Sequence, residues 1–383
     1  MEIVCNQIEL NNAIQLVSKA VASRPTHPIL ANILLTADQV TNKVSLTGFD
    51  LNLGIQTSFN ASVIKSGAIT IPSKLLMEIV NKLPSETPIS LVVEEASDNI
   101  LLKSDRGSFN LKGIPSDDYP NLPFVESGTS LNLDPVSFLK SLKSTIFSSS
   151  NDEAKLLLTG VNFTFKDKYF ESAATDGHRL AVVLIDKHQN ESTEISNNEN
   201  TFSVTIPTRS LREIEKLLSL KLSDKAVKLF YDKGQVVFIS SNQIVTTRTI
   251  EGSYPNYSRL IPDKYSKTFK FDTKLLIDSL ERIAVLADQQ SSVVKINIDD
   301  NDFALISADA KDIGSANESL PVSFSGDKIE IAFNVKYLLE GLKVIDSKYV
   351  LLKCNLPTTP AVLVPEDNSN SFTYLVMPIQ VRS

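Results

Sequence analysis

The 383-residue chain carries only two cysteines, Cys5 and Cys354, and three histidines, His27, His178 and His188. Two thiols so far apart match no metal-ligand spacing and predict a reduced protein of the cytoplasm. No apolar run approaches the roughly 18 residues needed to cross a bilayer. The longest, at 180–185, is short and rich in valine and predicts a buried strand. The opening MEIVCNQIEL lacks the basic-then-apolar layout of a signal peptide. No G-x-x-x-x-G-K-S/T run is present, so no nucleotide loop of that kind is expected. Positive charge is also short: the net charge of −7 argues against a surface that binds nucleic acid all over. It leaves room for basic residues gathered on one face. What is present, 42% hydrophobic and 22% charged residues, is the balance of a folded globular protein. The length suits two or three domains rather than one core.

Those domains are copies of one unit. Three segments open with an acid-marked amphipathic helix, at 9–21, 134–147 and 272–287. Leu10, Ile14, Val17 and Val21 share one face of the first; Leu139, Leu142 and Ile146 do so in the second, and Leu276, Leu280 and Ile283 in the third. A second helix follows in each unit, at IPSKLLMEIV from Ile71, IPTRSLREIEKLL from Ile206 and FNVKYLLEGLKVI from Phe333. Pro72 and Pro207 suit a first helical turn, and Asn334 is a good N-cap at the matching place. Between the helices lie alternating strands and an acidic turn: SLTGFDLNLG around Asp50, SAATDGHRLAV around Asp176 and LISADAKDIG around Asp309. DDYPNLP from Asp117 and GSYPNYSRLIP from Gly252 repeat before the two junctions. Order and spacing agree along the chain, predicting an α+β protein of three domains, each with antiparallel strands and two helices. The expected domains are 1–128, 129–262 and 263–383, with 187–201 a solvated loop in the middle one.

Asp176 and His178 invite an acid–base reading. No serine or cysteine stands in a nucleophile-elbow context, however, and Asp50 and Asp309 have no histidine beside them. An Asp that recurs in each unit is better explained as a turn former bonding nearby backbone. A metal-assisted hydrolase built from Asp50, Asp176, His178 and Asp309 would need three repeats to converge. No catalytic residue, metal or cofactor is therefore expected. A repeat-built adaptor that does not encircle DNA is the alternative to the reading that follows.

SRPTHPIL at 23–30, TDGHRL at 175–180, YPNYSRLIP at 254–262 and YLVMPI at 374–379 together resemble the bacterial DNA polymerase III β subunit family, the sliding clamps. The likeness spans essentially the whole chain in order. It implies the DNA clamp fold: a head-to-tail homodimer of three-domain protomers, ring-shaped, with helices lining the hole and strands running around the outside. The implied function is a non-catalytic processivity factor that slides on double-stranded DNA. It would tether the replicative polymerase and an ATP-dependent clamp loader through short linear motifs, with no membrane involved.

The resemblance also implies site residues. Arg24, Lys74 and Arg209 would meet DNA without reading sequence, as would the segment 151–158, whose one basic group is Lys155. A partner groove would be walled by Leu158, Thr175, Gly177, His178, Arg179, Leu180, Pro255, Arg259, Leu260, Leu375, Met377 and Pro378. There Arg179 and Arg259 would hold peptide backbone or carboxyl groups. Phe109 would pack near Val285 and Leu286 of the partner protomer. The tail 380–383, somewhat longer than this family often has, would lie beside the groove.

Overall fold

The computed structural model describes residues 1–94, 98–125, 128–166, 169–186, 201–220, 226–232, 234–287, 292–299, 302–310, 313–367 and 371–380. Of the loop expected at 187–201, residues 187–200 lie outside the described residues and Thr201 opens a strand; the tail residues 381–383 also lie outside them.

One order of elements runs three times. The first copy is β1 (Glu2–Asn6), α1 (Gln7–Val17), β2 (Asn32–Asp38), β3 (Lys43–Phe49), β4 (Leu53–Asn60), β5 (Ser62–Lys65), β6 (Gly67–Pro72), α2 (Ser73–Lys82), β7 (Pro88–Val93), β8 (Asn99–Ser104) and β9 (Gly107–Lys112). The second is β10 (Thr129–Leu133), α3 (Pro135–Thr145), β11 (Gly160–Lys166), β12 (Tyr169–Thr175), β13 (Arg179–Asp186), β14 (Thr201–Pro207), α4 (Thr208–Leu220), β15 (Val227–Asp232), β16 (Gln235–Ser240) and β17 (Gln243–Arg248). The third is β18 (Lys267–Asp272), α5 (Thr273–Ala287), β19 (Val293–Ile298), β20 (Phe303–Ala310), β21 (Gly314–Pro321), β22 (Ser323–Ser325), β23 (Ile329–Asn334), α6 (Val335–Leu342), β24 (Tyr349–Cys354), β25 (Ala361–Pro365) and β26 (Ser371–Val376).

Local chemistry sets the helix ends. The Asn6 side chain accepts from the Ile8 amide, Asp272 from that of Leu275, and Asn334 from those of Lys336 and Tyr337. Pro72 and Pro207 differ from the expectation: each is the last residue of its strand, and the helix starts one residue later. The expected apolar faces are buried at Leu10, Ile14 and Val17 on α1 and at Leu276, Leu280 and Ile283 on α5, whereas Val21 lies beyond the end of α1 and is half-buried. α1 packs on α2, and α5 on α6.

The sheets cut across the repeats. The described residues form two compact units, one of residues within 1–135 and 216–249, the other of residues within 136–186, 201–215 and 250–380. In the first, β6-β2-β3-β4 continues through β17-β16-β15-β10 as a single eight-stranded antiparallel sheet, beside the five-stranded β5-β1-β7-β8-β9. In the second, β14-β11-β12-β13 continues through β26-β25-β24-β18-β22, beside the four-stranded β21-β20-β19-β23. The seams are β4 with β17 and β13 with β26. Each joins the strand that follows one repeat's acidic turn to the last strand of the next repeat.

The repeated Tyr-Pro-Asn motif latches these sheets. Tyr119 Oη donates to the Thr47 carbonyl at 3.2 Å, and Tyr254 Oη accepts from the Thr175 amide at 3.1 Å. A few residues upstream, Ile114 bridges to Thr70 and Ile250 to Thr205, and the Ile379 amide reaches Ala332 in the same position of the third copy.

Candidate functional site

The TDGHRL segment forms the turn between β12 and β13. Asp176 Oδ1 accepts from the amides of His178 (2.8 Å) and Arg179 (3.1 Å), as Asp50 Oδ1 accepts from Asn52 and Leu53 in the first copy. This is the backbone-bonding role expected of a recurring Asp. Asp309 departs from it. It lies inside β20 opposite Ser315, the place held by Thr175 opposite Leu180 and Phe49 opposite Gly54. Counted between these pairs, the third turn is one residue longer, so the motif match there was offset by one.

Gly177 takes φ of 95°, a left-handed conformation that suits glycine. The Thr175 hydroxyl donates to the Arg179 carbonyl and accepts from the Gly177 amide, closing the turn. The His178 carbonyl then accepts from the Met377 amide at 2.9 Å, tying the turn to the end of β26. With Asp176 committed to two amides and to Arg179, the acid–base reading has no free carboxylate. Among the described residues no three His, Cys, Asp or Glu side chains group as a metal site.

The groove residues separate into floor and rim. Leu180 and Leu375 pair across the β13–β26 seam and are buried in one cluster with Ala173, Val182 and Val362. Tyr257, Ile261 and Tyr265 pack against that cluster. Tyr254 is pushed up to about 12 by burial, and burial with Glu171 also raises Tyr257, so both stay neutral hydroxyls. Thr175 is buried too. Exposed around this floor are Gly177, His178, Pro255, Arg259, Leu260 and Met377, with Leu158 and Pro378 half-buried. Leu260 at 54% and Met377 at 38% exposure are large apolar side chains left open to solvent.

Arg179 corrects the sequence reading. It is 8% exposed, and its guanidinium is already bound: Nε to Asp176 at 3.0 Å, Nη2 to the Phe147 carbonyl at 2.7 Å, and Nη1 to Glu340. It lies 4.4 Å over the Tyr337 ring. A side chain so engaged does not reach for a peptide carboxylate. Lys155 is closer to that task, because its Nζ stands 3.5 Å from the Asp176 carbonyl at the same turn.

The basic candidates all sit on exposed positions. Arg24 lies in the loop after α1, and Lys74 stands beside buried Ser73 and Leu76 on α2. On α4, Arg209, Arg212 and Lys216 recur at three- and four-residue spacing and are all exposed, while Leu211, Ile214 and Leu218 are buried. The sequence reading missed Lys336. It is exposed on α6 and holds the position of Lys74 and Arg209, two residues after Pro72, Pro207 and Asn334. That shared offset was the available signal. Val285 is exposed on α5, with Leu286 half-buried and Phe109 half-buried on β9.

These features define a clamp assembled from edge-joined repeats, and solved structures share it. A DNA polymerase sliding clamp from Bacillus subtilis matches over 100% of both chains with a TM-score of 0.91 at 26% identity. A Pseudomonas aeruginosa sliding clamp bound to griselimycin matches over 100% of both with 0.90 at 26%. The beta sliding clamp of Synechococcus elongatus is 45% identical over 384 residues, covering all of both chains. The family models of the DNA polymerase III beta subunit match as N-terminal domain (1–123), central domain (132–256) and C-terminal domain (258–380). The chain belongs to the DNA polymerase III beta subunit family, and like other beta sliding clamps it is a non-catalytic subunit.

Proposed function

We propose that two copies of this chain close head to tail into a ring around double-stranded DNA and hold the replicative polymerase there. The observation that carries this reading is the pattern of sheet edges. In both seams the hairpin strand after the turn pairs with the last strand of the following repeat. Among the described residues, that leaves β21 and β9 as the two edges of this type with no neighbour. A second copy supplies each with the other, and the contact closes after two copies.

The register of this third seam follows from the other two. Gly54 pairs Thr246, and Leu180 pairs Leu375. Thr246 and Leu375 each stand four residues before a latching isoleucine, Ile250 or Ile379, so the counterpart before Ile114 is Asn110. Ser315 holds the place of Gly54 and Leu180. Ser315 then meets Asn110, Ala316 meets Phe109 and Asn317 meets Ser108. Phe109 thus corresponds to Tyr374, which contacts Phe147 with ring centroids 5.4 Å apart. Phe147 and Val285 are both thirteen residues past the aspartate that precedes their helix, Asp134 or Asp272. The Phe147–Tyr374 contact is therefore the internal image of Phe109 against Val285 of the other protomer.

Within the ring, Arg24, Lys74, Arg209 and Lys336 meet phosphates and no base edges, which suits sliding over any sequence. The groove takes short motifs of the polymerase and the clamp loader, and tethering raises effective concentration at the template. Griselimycin, which the Pseudomonas aeruginosa sliding clamp binds, is the probe to try on this groove. Domain boundaries fall at 128/129 and 262/263, and the protein works in the cytoplasm. The test is retention on DNA after loading. A ring stays on closed circular DNA and slides off when the circle is cut, whereas an adaptor without encirclement treats both alike.

A further inference from the structure

The groove turn is bonded to a distant helix through one buried side chain. Arg179 bonds the turn through Asp176, the end of the segment after α3 through the Phe147 carbonyl, and α6 through Glu340. Its guanidinium is stacked between aromatic faces, 4.4 Å from the Tyr337 ring centroid and 5.6 Å from that of Phe147. Asp176 therefore serves two tasks. Oδ1 holds the amides of His178 and Arg179, while Oδ2 takes Arg179 Nε. The carboxylate that shapes the turn is oriented by a guanidinium, and Glu340 on α6 fixes that guanidinium in turn.

We infer that Arg179 and Glu340 are positioning residues for the partner groove. They hold the Asp176–His178 turn in its binding geometry without touching the partner themselves. This rests on the reading of the groove as a partner site. The chemistry favours positioning over direct contact because all three nitrogens of the fork already donate to protein acceptors. Glu340 is half-exposed, with a side-chain exposure of 48%, so its charge can be removed without opening the core.

Loss of that charge frees Arg179 Nη1 and loosens the turn whose amides Asp176 holds. Lys at position 179 keeps a charge but has no planar fork, so it cannot serve Asp176, Phe147 and Glu340 together.

The test uses the full-length protein with griselimycin as probe and Leu260→Asp as the groove control. In Glu340→Gln, amide exchange at His178 and Arg179 should rise several-fold without ligand, and griselimycin affinity should fall about tenfold, while thermal unfolding stays close to wild type. Glu340→Asp should recover much of both, and Arg179→Lys should resemble Glu340→Gln. Unchanged exchange at the two amides in Glu340→Gln overturns the inference, whatever the ligand does. Normal griselimycin binding by Glu340→Gln, with binding abolished in Leu260→Asp, overturns it as well and leaves the groove standing. If Leu260→Asp binds griselimycin normally, it is the groove reading that fails, and the exchange measurement alone decides the role of Arg179.

Discussion

Replacing Phe109 by Asp should take the ring apart. Phe109 is half-buried on the open edge of β9, whereas its counterparts at the internal seams, Val245 and Tyr374, are fully buried. Closure should therefore remove about 100 Å² of its apolar surface, roughly half of what a phenylalanine side chain offers. At about 25 cal/mol per Å² this contributes about 2.5 kcal/mol at one seam. A head-to-tail dimer has two identical seams, so the loss is counted twice and reaches about 5 kcal/mol. The dimer dissociation constant should then rise by at least three orders of magnitude, before any cost of burying the new carboxylate. Sedimentation velocity across a concentration series measures it, with circular dichroism melts confirming that each protomer remains folded. A change below tenfold in a folded variant would refute the seam, its register or its doubling.

Other outcomes follow from the same geometry. Ser108→Cys combined with Asn317→Cys should give a covalent dimer under mild oxidation, since residues opposed across antiparallel strands lie within disulfide reach. Ser108→Cys with Ala316→Cys, one residue off and on the other face, should not; crosslinking by both pairs equally would rule out the register. The native thiols will not interfere, because burial pushes Cys5 up to about 12 and Cys354 up to about 11. Leu51→Gly should stabilise the fold by about 0.5–1 kcal/mol in urea melts. Leu51 holds φ of 74° where its repeat counterpart is Gly177, and a loss of stability would show that its side chain matters more than its backbone. Changing Arg24, Lys74 and Arg209 together to Ala should lower the slope of log K against log salt for a mixed-sequence duplex by about 3. An unchanged slope would remove them from the phosphate-contacting set.

The parts of the fold that were legible in the sequence are those that local chemistry decides. Helix faces such as Leu276, Leu280 and Ile283, the Asn334 cap and the Asp176 turn depend on neighbours a few residues away, and the structure has them as read. Asp309 misled because its motif survives while its turn is one residue longer, a change that only strand pairing reveals. Arg179 misled for another reason. Whether an arginine faces a ligand or the interior depends on where its acceptors are, and Glu340 lies 161 positions away. Local chemistry could not find the seams, because nothing in the residues around Leu180 marks Leu375 as their partner; only the family resemblance put the two in one groove.

That a sheet ignores the borders of the repeats also has a consequence in time. β4 ends at Asn60, but the strand that covers its edge ends at Arg248. A ribosome adding about 5–20 residues per second needs roughly 10–40 s to make the intervening segment. Through that interval the nascent chain carries a bare strand edge of the kind that recruits aggregation partners. The same wait recurs between β13 and β26. Because each seam is closed by a strand made much later, neither sheet can be completed by a nascent chain that stops short of β17.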